Sequence, residues 1–320
     1  MSADNELYET QAYSLTGLPH RVNTATELTG RGEDILVKNM TESKIRNITV
    51  PMPYENTGNF RFMGKVKSMF DIGQDVWLLD DENRIVVYNT EARYVCKTIH
   101  LHESVPDFSL CRDNMKAWYC SQTSNTVGEI ESDQKIVRFT VDKKPLSLCV
   151  TADYRVVVGM VGVLTIYTPD GAEVTSATST EDYVVRTPHR IAECPSTNNL
   201  AVIDMDWKSH GGDQRSRVVI FDKLLKILHI YFGRRKFPEL RPDLDRIELA
   251  YSPRGVFYNK DGELFVSDFY NHSVIRLSGT GTYEGEYHNY MPTPTAICNK
   301  SADELWVLHQ HDWVFGYIYR

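Results

Sequence analysis

Histidine, aspartate and arginine are the residues through which this sequence could do chemistry, and several stand at suggestive spacings. His309-Gln-His-Asp312 places His309 and His311 two apart, on one side of a strand, as a pair of metal ligands would stand. Asp204-x-Asp206, with His210 four residues on, offers two carboxylates and an imidazole. His189 and Arg190 follow Pro188, and Arg254 follows Pro253; two guanidiniums suit a carboxylate or another anionic group. Asp268 and His272 stand four residues apart at the end of a strand. The candidate ligand-binding set is therefore His189, Arg190, Asp204, Asp206, His210, Arg254, Asp268, His272, His309, His311 and Asp312, with Asp80 and Asp107 nearby. The competing reading is that these residues finish strands and satisfy backbone groups. No nucleophile elbow announces a Ser/His/Asp triad, and no cofactor is expected.

Those side chains need a scaffold, and repetition supplies one. A small apolar segment recurs as Lys67-Ser-Met-Phe70, Phe108-Ser-Leu-Cys111, Leu146-Ser-Leu-Cys149, Arg190-Ile-Ala192, Gly255-Val-Phe257 and Ala296-Ile-Cys298. With Met69, Leu110, Leu148, Ile191, Val256 and Ile297 taken as equivalent, the step is about 40 residues except for one longer interval before Val256. Pro106, Pro145, Pro188, Pro253 and Pro294 each precede such an opener by one or two residues. Turns such as Arg112-Asp-Asn-Met-Lys116 and Asn259-Lys-Asp-Gly-Glu263 follow, rich in residues that tolerate left-handed backbone or bond their own chain. Second strands then begin alike, with Trp77, Trp118 and Trp306. Third strands read at 85–88, 164–167, 218–221, 274–277 and 314–319, and fourth strands at 94–99, 136–141, 174–177, 226–231 and 283–287.

Four strands per repeat define a propeller blade, so the spacing predicts an all-β, six-bladed β-propeller of four-stranded blades. The last repeat shows only three strands, so an N-terminal strand is expected to close it, with residues 47–50 (Asn-Ile-Thr-Val) as the candidate. On this reading 1–43 form a flexible arm and 44–320 the propeller.

The chain has 320 residues, with 35 Lys and Arg against 43 Asp and Glu, a net charge of −8. That balance argues against a general binder of nucleic acid or anionic membrane. The cluster Gly233-Arg-Arg-Lys-Phe-Pro-Glu-Leu-Arg241 could meet single-stranded nucleic acid, but the surrounding acids favour a solvated loop. No apolar run approaches the ~20 residues of a membrane span. The start, Met1-Ser-Ala-Asp-Asn-Glu, is no secretory leader, and the six cysteines form no Cys-x-x-Cys pair. A cytoplasmic, monomeric globule with free thiols is the expectation. Cys111, Cys149 and Cys298 read as small buried residues of one inner-strand register.

Val76-Trp-Leu-Leu-Asp-Asp-Glu-Asn-Arg-Ile-Val-Val-Tyr88 and Leu264-Phe-Val-Ser-Asp-Phe-Tyr-Asn-His-Ser-Val-Ile-Arg-Leu277 share an apolar strand, an Asp, two residues, an Asn and a second apolar strand. In this they resemble the NHL repeat, the blade of six-bladed propellers found at the C-termini of tripartite-motif proteins. Asp80 or Asp268 would cap the strand end, and Asn83 or Asn271 would close the turn. The other four blades keep the strand pattern without Asp-x-x-Asn. The resemblance implies a propeller that binds a protein or another ligand. No Cys/His zinc module or heptad stretch precedes Lys44, so ligase activity is not expected here.

The alternative is a channel-centred hydrolase using the acid and histidine cluster. NHL-like amidating lyases hold zinc with histidines after the blade-opening proline; only Pro188-His189 fits, the other positions being Leu146, Arg254 and Thr295. Calcium-dependent propeller hydrolases carry Asn, Asp and Glu at the openers. This sequence offers Lys67, Ser109, Ser147, Arg190, Gly255 and Ala296, with Asp107 the lone acidic neighbour, so no metal is expected.

In a propeller the turns between strands 2 and 3, and the links from strand 4 to the next strand 1, emerge on one face. The long insertions 121–126, 205–217 and 233–252 all fall there, and such loops carry function more often than the framework does. The expected partner is a protein, peptide or small molecule at the channel mouth. It would present an acidic or hydrogen-bond-accepting group to Arg190 and Arg254, themselves near Asp204, Asp268 and Asp312. Alternatively the arginines brace adjacent blades.

Overall fold

The structure, a computed structural model, describes residues 56–62, 64–111, 116–178, 185–233, 251–288, 293–301, 303–309 and 313–318. All of them lie in the compact unit Pro51–Arg320. Among these residues the strands make six four-stranded antiparallel sheets, each a blade. Blade 1 runs Val66–Ile72, Asp75–Asp80, Arg84–Asn89 and Tyr94–His100. Blade 2 runs Asp107–Leu110, Ala117–Ser121, Thr126–Glu131 and Gln134–Thr140. Blade 3 runs Pro145–Val150, Val156–Met160, Val163–Tyr167 and Glu173–Thr178. Blade 4 runs Pro188–Glu193, Leu200–Asp204, Arg217–Phe221 and Ile227–Tyr231. Blade 5 runs Pro253–Tyr258, Leu264–Asp268, Ser273–Leu277 and Tyr283–His288. Blade 6 takes Pro294–Ser301, Glu304–His309 and Trp313–Ile318 from the end of the chain and Asn56–Arg61 from its beginning. The first strand of each blade packs on the first strand of the next, closing a ring around a channel.

Both faces of a blade press on neighbours, so its middle strands are largely buried and mostly apolar. Val156–Met160 and Leu200–Asp204 are examples. The outer strands alternate or face solvent, as Gln134–Thr140 does.

The N-terminal closure is present, but its strand is Asn56–Arg61 rather than 47–50, which lie outside the described residues. The reason is aromatic packing. Phe60 stacks on Tyr88 of blade 1 at 4.4 Å and meets Trp306 of blade 6 edge-on at 5.5 Å. Phe62 joins the same core with Met69, Leu78, Cys298 and Leu308. Asn-Ile-Thr-Val carries no aromatic group to fill that seam.

Strand pairing also corrects the alignment of blade 2. Met69, Leu148, Ile191, Val256 and Ile297 face Leu78, Val158, Val202, Val266 and Val307; the matching residue of blade 2 is Phe108, facing Tyr119, and not Leu110. Cys111 therefore does not share the register of Cys149 and Cys298; Ser109 does. The six cysteines form no disulfide, and Cys96 alone is exposed.

Candidate functional site

Five inner strands carry a β-bulge after their first residue, displacing Lys67, Leu146, His189, Arg254 and Thr295 from regular pairing. Bulges re-aim side chains and concentrate near binding sites. Here they gather at the channel end where the 2–3 turns and 4–1 links emerge. One step deeper, pairing places Ser68, Asp107, Ser147, Arg190, Gly255 and Ala296 at one level; Ser68 and Asp107 thus hold the places that Lys67 and Ser109 were expected to hold.

Arg190 is the side chain that decides the shape of the mouth. It leaves blade 4, donates to the carbonyl of its neighbour His189 at 2.7 Å, and donates to the carbonyl oxygen of Lys67 on blade 1. Its Nη1 lies 3.8 Å from Asp107 Oδ1 of blade 2. Its partner is thus Asp107, rather than the expected Asp204 or Asp268. The guanidinium bolts three blades together across the channel, whereas the bracing alternative had the arginines joining adjacent blades. Asp107 is buried and also accepts from the Leu148 amide at 3.1 Å. Burial pushes its carboxyl up, and Arg190 pulls against that shift.

Lys67 is held by Asn83 Oδ1 at 2.8 Å and the Val105 carbonyl at 3.0 Å. Burial lowers its pKa; Asp81 and Asp80 offset this while Arg190 adds to it. His189 is pressed well below its usual pKa by burial and by the guanidiniums of Arg190 and Arg254, so it is neutral at neutral pH. Its ring centroid lies 6.4 Å from that of Trp207, which lies 5.7 Å from His210. His210 Nδ1 bonds Thr187 Oγ1 at 3.0 Å, and burial lowers its pKa as well. The Arg254 guanidinium sits 5.3 Å over the Phe269 ring, and Phe269 meets Tyr270 edge-on at 5.2 Å.

The aspartates take the opposite role, holding loops. Asp80 accepts from the Arg84 amide at 2.8 Å and from Arg84 Nε at 2.7 Å. Asn83, in left-handed backbone at φ 59°, closes that turn and accepts from the Val105 amide of the next link. Asp204 accepts from the amides of Arg186, Thr187 and Asp206, and Arg217 donates to it at 2.8 Å. Asp206 gathers the 205–217 loop by accepting from the amides of Asp213 and Arg215. A Cβ on Gly212 would collide with the backbone of Asp206, so only glycine lets the loop close. Asp268 accepts from the Ser252 amide and from Asn271 Nδ2 at 2.7 Å, and burial pushes its carboxyl up. Next to it His272 is an exposed turn residue at φ 52°.

His309 lies apart, buried with Nε2 3.1 Å from Tyr317 Oη and its ring against Phe315. His311 and Asp312 fall outside the described residues, as do 234–241 of the basic cluster. Among the described residues no group of three or more His, Cys, Asp or Glu is arranged to hold a metal ion. The mouth thus joins His189, Arg190 and Arg254, with His210 reached through Trp207. The residues missed in the sequence are Lys67, Trp207, Phe269 and Tyr270. Their signal is positional: a bulge, and aromatic residues in solvent-facing 2–3 loops.

No family model matches the chain, and no curated protein does. Solved structures share its fold. The Myceliophteria thermophila Cps50 (Swd1) β-propeller domain is 12% identical, with a TM-score of 0.58 over 84% of this chain and 100% of that one. Virginiamycin B lyase from Staphylococcus aureus is 15% identical, with a TM-score of 0.54 over 84% and 89%. A streptogramin B lyase is 15% identical, with a TM-score of 0.56 over 82% and 87%. At such identities the likeness establishes architecture alone. The chain is a six-bladed β-propeller.

Proposed function

We propose that the chain is a binding module, an NHL-like propeller that meets a protein partner through the face bearing the 2–3 turns and 4–1 links. One observation carries this reading. The described acids that could have done chemistry at that face are buried and engaged within the fold, Asp80, Asp204, Asp206 and Asp268 in loop-holding bonds and Asp107 against Arg190 and the Leu148 amide. Trp207, Phe269 and the 45% exposed Tyr270 are left to meet solvent. Tryptophan, tyrosine and arginine are the side chains that most often dominate protein interfaces. The Asp-x-x-Asn turns of blades 1 and 5 supply the NHL-like part of the reading.

The test is affinity capture with three forms of the full chain. A Trp207→Ala/Tyr270→Ala double variant should lose the partner. Leu224→Asp, at a 67% exposed position in the 3–4 turn of blade 4 on the opposite face, should retain it. Loss with Leu224→Asp and retention with the double variant would move the interface to the other face.

A further inference from the structure

We infer that the seam between blades 3 and 4, on the face opposite the 2–3 turns, is a docking groove for a peptide. The groove takes one leucine-sized side chain, and the residue after it in the peptide is acidic. This goes beyond the binding reading above, concerning another face and another ligand.

Turn chemistry is the first support. The 3–4 turns of blades 3, 4 and 5 share one hydrogen-bond pattern, starting at Thr168, Asp222 and Ser278. In each, the first amide donates to the fifth carbonyl, and the first carbonyl accepts from the fourth amide. That fourth residue stands in left-handed backbone, at φ 91° for Gly171, 62° for Leu225 and 94° for Gly281. Blades 3 and 5 use glycine, which the conformation favours; blade 4 spends a leucine there and sets Leu224 before it. Leu225 fills the core of the seam with Ile166 and Leu200. Leu224 is left 67% exposed, and Asp222 fixes it outward by accepting from the Leu224 and Lys226 amides at 2.9 and 2.8 Å.

Packing is the second. A Cβ on Gly171 would collide with Phe139 of blade 2, and one on Gly281 with His229 of blade 4. In those seams a ring from the preceding blade lies over the turn. The outer strand of blade 3, Glu-Val-Thr-Ser-Ala-Thr, has no ring to offer. A cavity of about 250 Å³ is left between the blades, with Ile166 and Leu200 as its buried floor and Val174 and Leu224 as its exposed lips. Sites for whole small molecules run to roughly 300–1,000 Å³, so this one suits a single aliphatic side chain.

Charge names the residue beside it. Across the seam the Ala152 amide donates to Glu193 Oε2 at 2.7 Å. Asp153 accepts from the Thr151 hydroxyl at 2.6 Å, with Arg155 Nε 4.0 Å away. The acids of the rim are thus engaged within the fold. Lys223, beside Leu224 on the lip, has no acid against it among the described residues. A carboxylate next to the inserted side chain meets that ammonium, and a lysine there is repelled.

The experiment titrates acetyl-Ala-Leu-Glu-Ala-amide, acetyl-Ala-Ala-Glu-Ala-amide and acetyl-Ala-Leu-Lys-Ala-amide into the full chain, following the methyl signals of Ile166, Val174, Leu200 and Leu224 by NMR. The Leu-Glu peptide should shift them saturably. Loss of its leucine should weaken binding at least about tenfold, and the Leu-Lys peptide should bind more weakly than the Leu-Glu peptide. Lys223→Glu should reverse the order of those two. Val174→Phe, which supplies a ring at the lip, should abolish the response with an unchanged or higher melting temperature. No saturable shift, an equal response to the Ala-Glu peptide, an unreversed order in Lys223→Glu, or a Val174→Phe titration like the wild type's would each overturn the groove. So would a concentration-dependent dimer that Leu224→Asp abolishes, which would assign the seam to a second copy. Each of these results leaves the partner of the opposite face untouched, since Leu224→Asp is expected to retain it.

Discussion

Asp71 sits at the far end of the inner strand of blade 1, beside the seam with blade 6, where its carboxyl borders Lys300 and Trp306. Burial raises its pKa from 3.8 to about 7, against the pull of Lys300 and a bond from Trp306. The folded chain therefore binds this proton more tightly than the unfolded chain does. Stability from this group falls as pH rises from about 4 to about 7, and stays flat above that. Asp71→Asn keeps the shape and removes the titration. Melting curves should show the variant more stable than the wild type at pH 8, with the two converging near pH 4; parallel curves across that range would contradict this. Little of this was legible in the sequence, where Asp71 is one acid among many. Burial is a property of the seam, and the seam is made by residues from opposite ends of the chain. The same limit hid the partner of Arg190: sequence proximity suggested Asp204, whereas the bolt crosses the channel to blade 2.

At the scale of elements the sequence was far more readable, because blades are built from local hairpins. The third and fourth strands fall within a residue or two of where turn residues and apolar runs placed them. The failure at blade 2 has a physical cause. Phe108-Ser-Leu-Cys111 resembles Leu146-Ser-Leu-Cys149, yet pairing shifts it by two residues, and a shift of two leaves the inward and outward alternation of a strand intact. Hydrophobic pattern cannot detect it. The closing strand was foreseen as a necessity but assigned to the wrong segment, since β-propensity alone does not report which apolar group fills a distant seam. Truncation tests the assignment. A chain starting at Tyr54 keeps the strand, while one starting at Gly64 loses the Asn56–Arg61 ladder and the Phe60 and Phe62 side chains. The second should melt far lower, by several kcal/mol on the order expected for a lost ladder and two buried aromatics. Equal melting points for the two would exclude this closure.

For the molecule as a whole, one face carries the 205–217 loop, the bulged Lys67, His189 and Arg254 and the aromatics Trp207, Phe269 and Tyr270, while its acids tie loops to the blades that carry them. That the 205–217 loop emerges on this face was legible from insertion lengths alone. The division of labour within it was not, because an Asp that caps a turn and an Asp that binds a ligand read identically until their hydrogen-bond partners are known. The central claim is that acids hold this face together, with Arg190 bolted among them, and that Arg254 and the aromatics use it. Thermal melting of Asp204→Ala beside Arg254→Met tests that most directly. Removing Asp204 strands three backbone amides and Arg217, on the order of 3 kcal/mol and roughly 10 °C. Arg254→Met should stay within about 2 °C of the wild type. A large drop for Arg254→Met with an unchanged melt for Asp204→Ala would contradict the account.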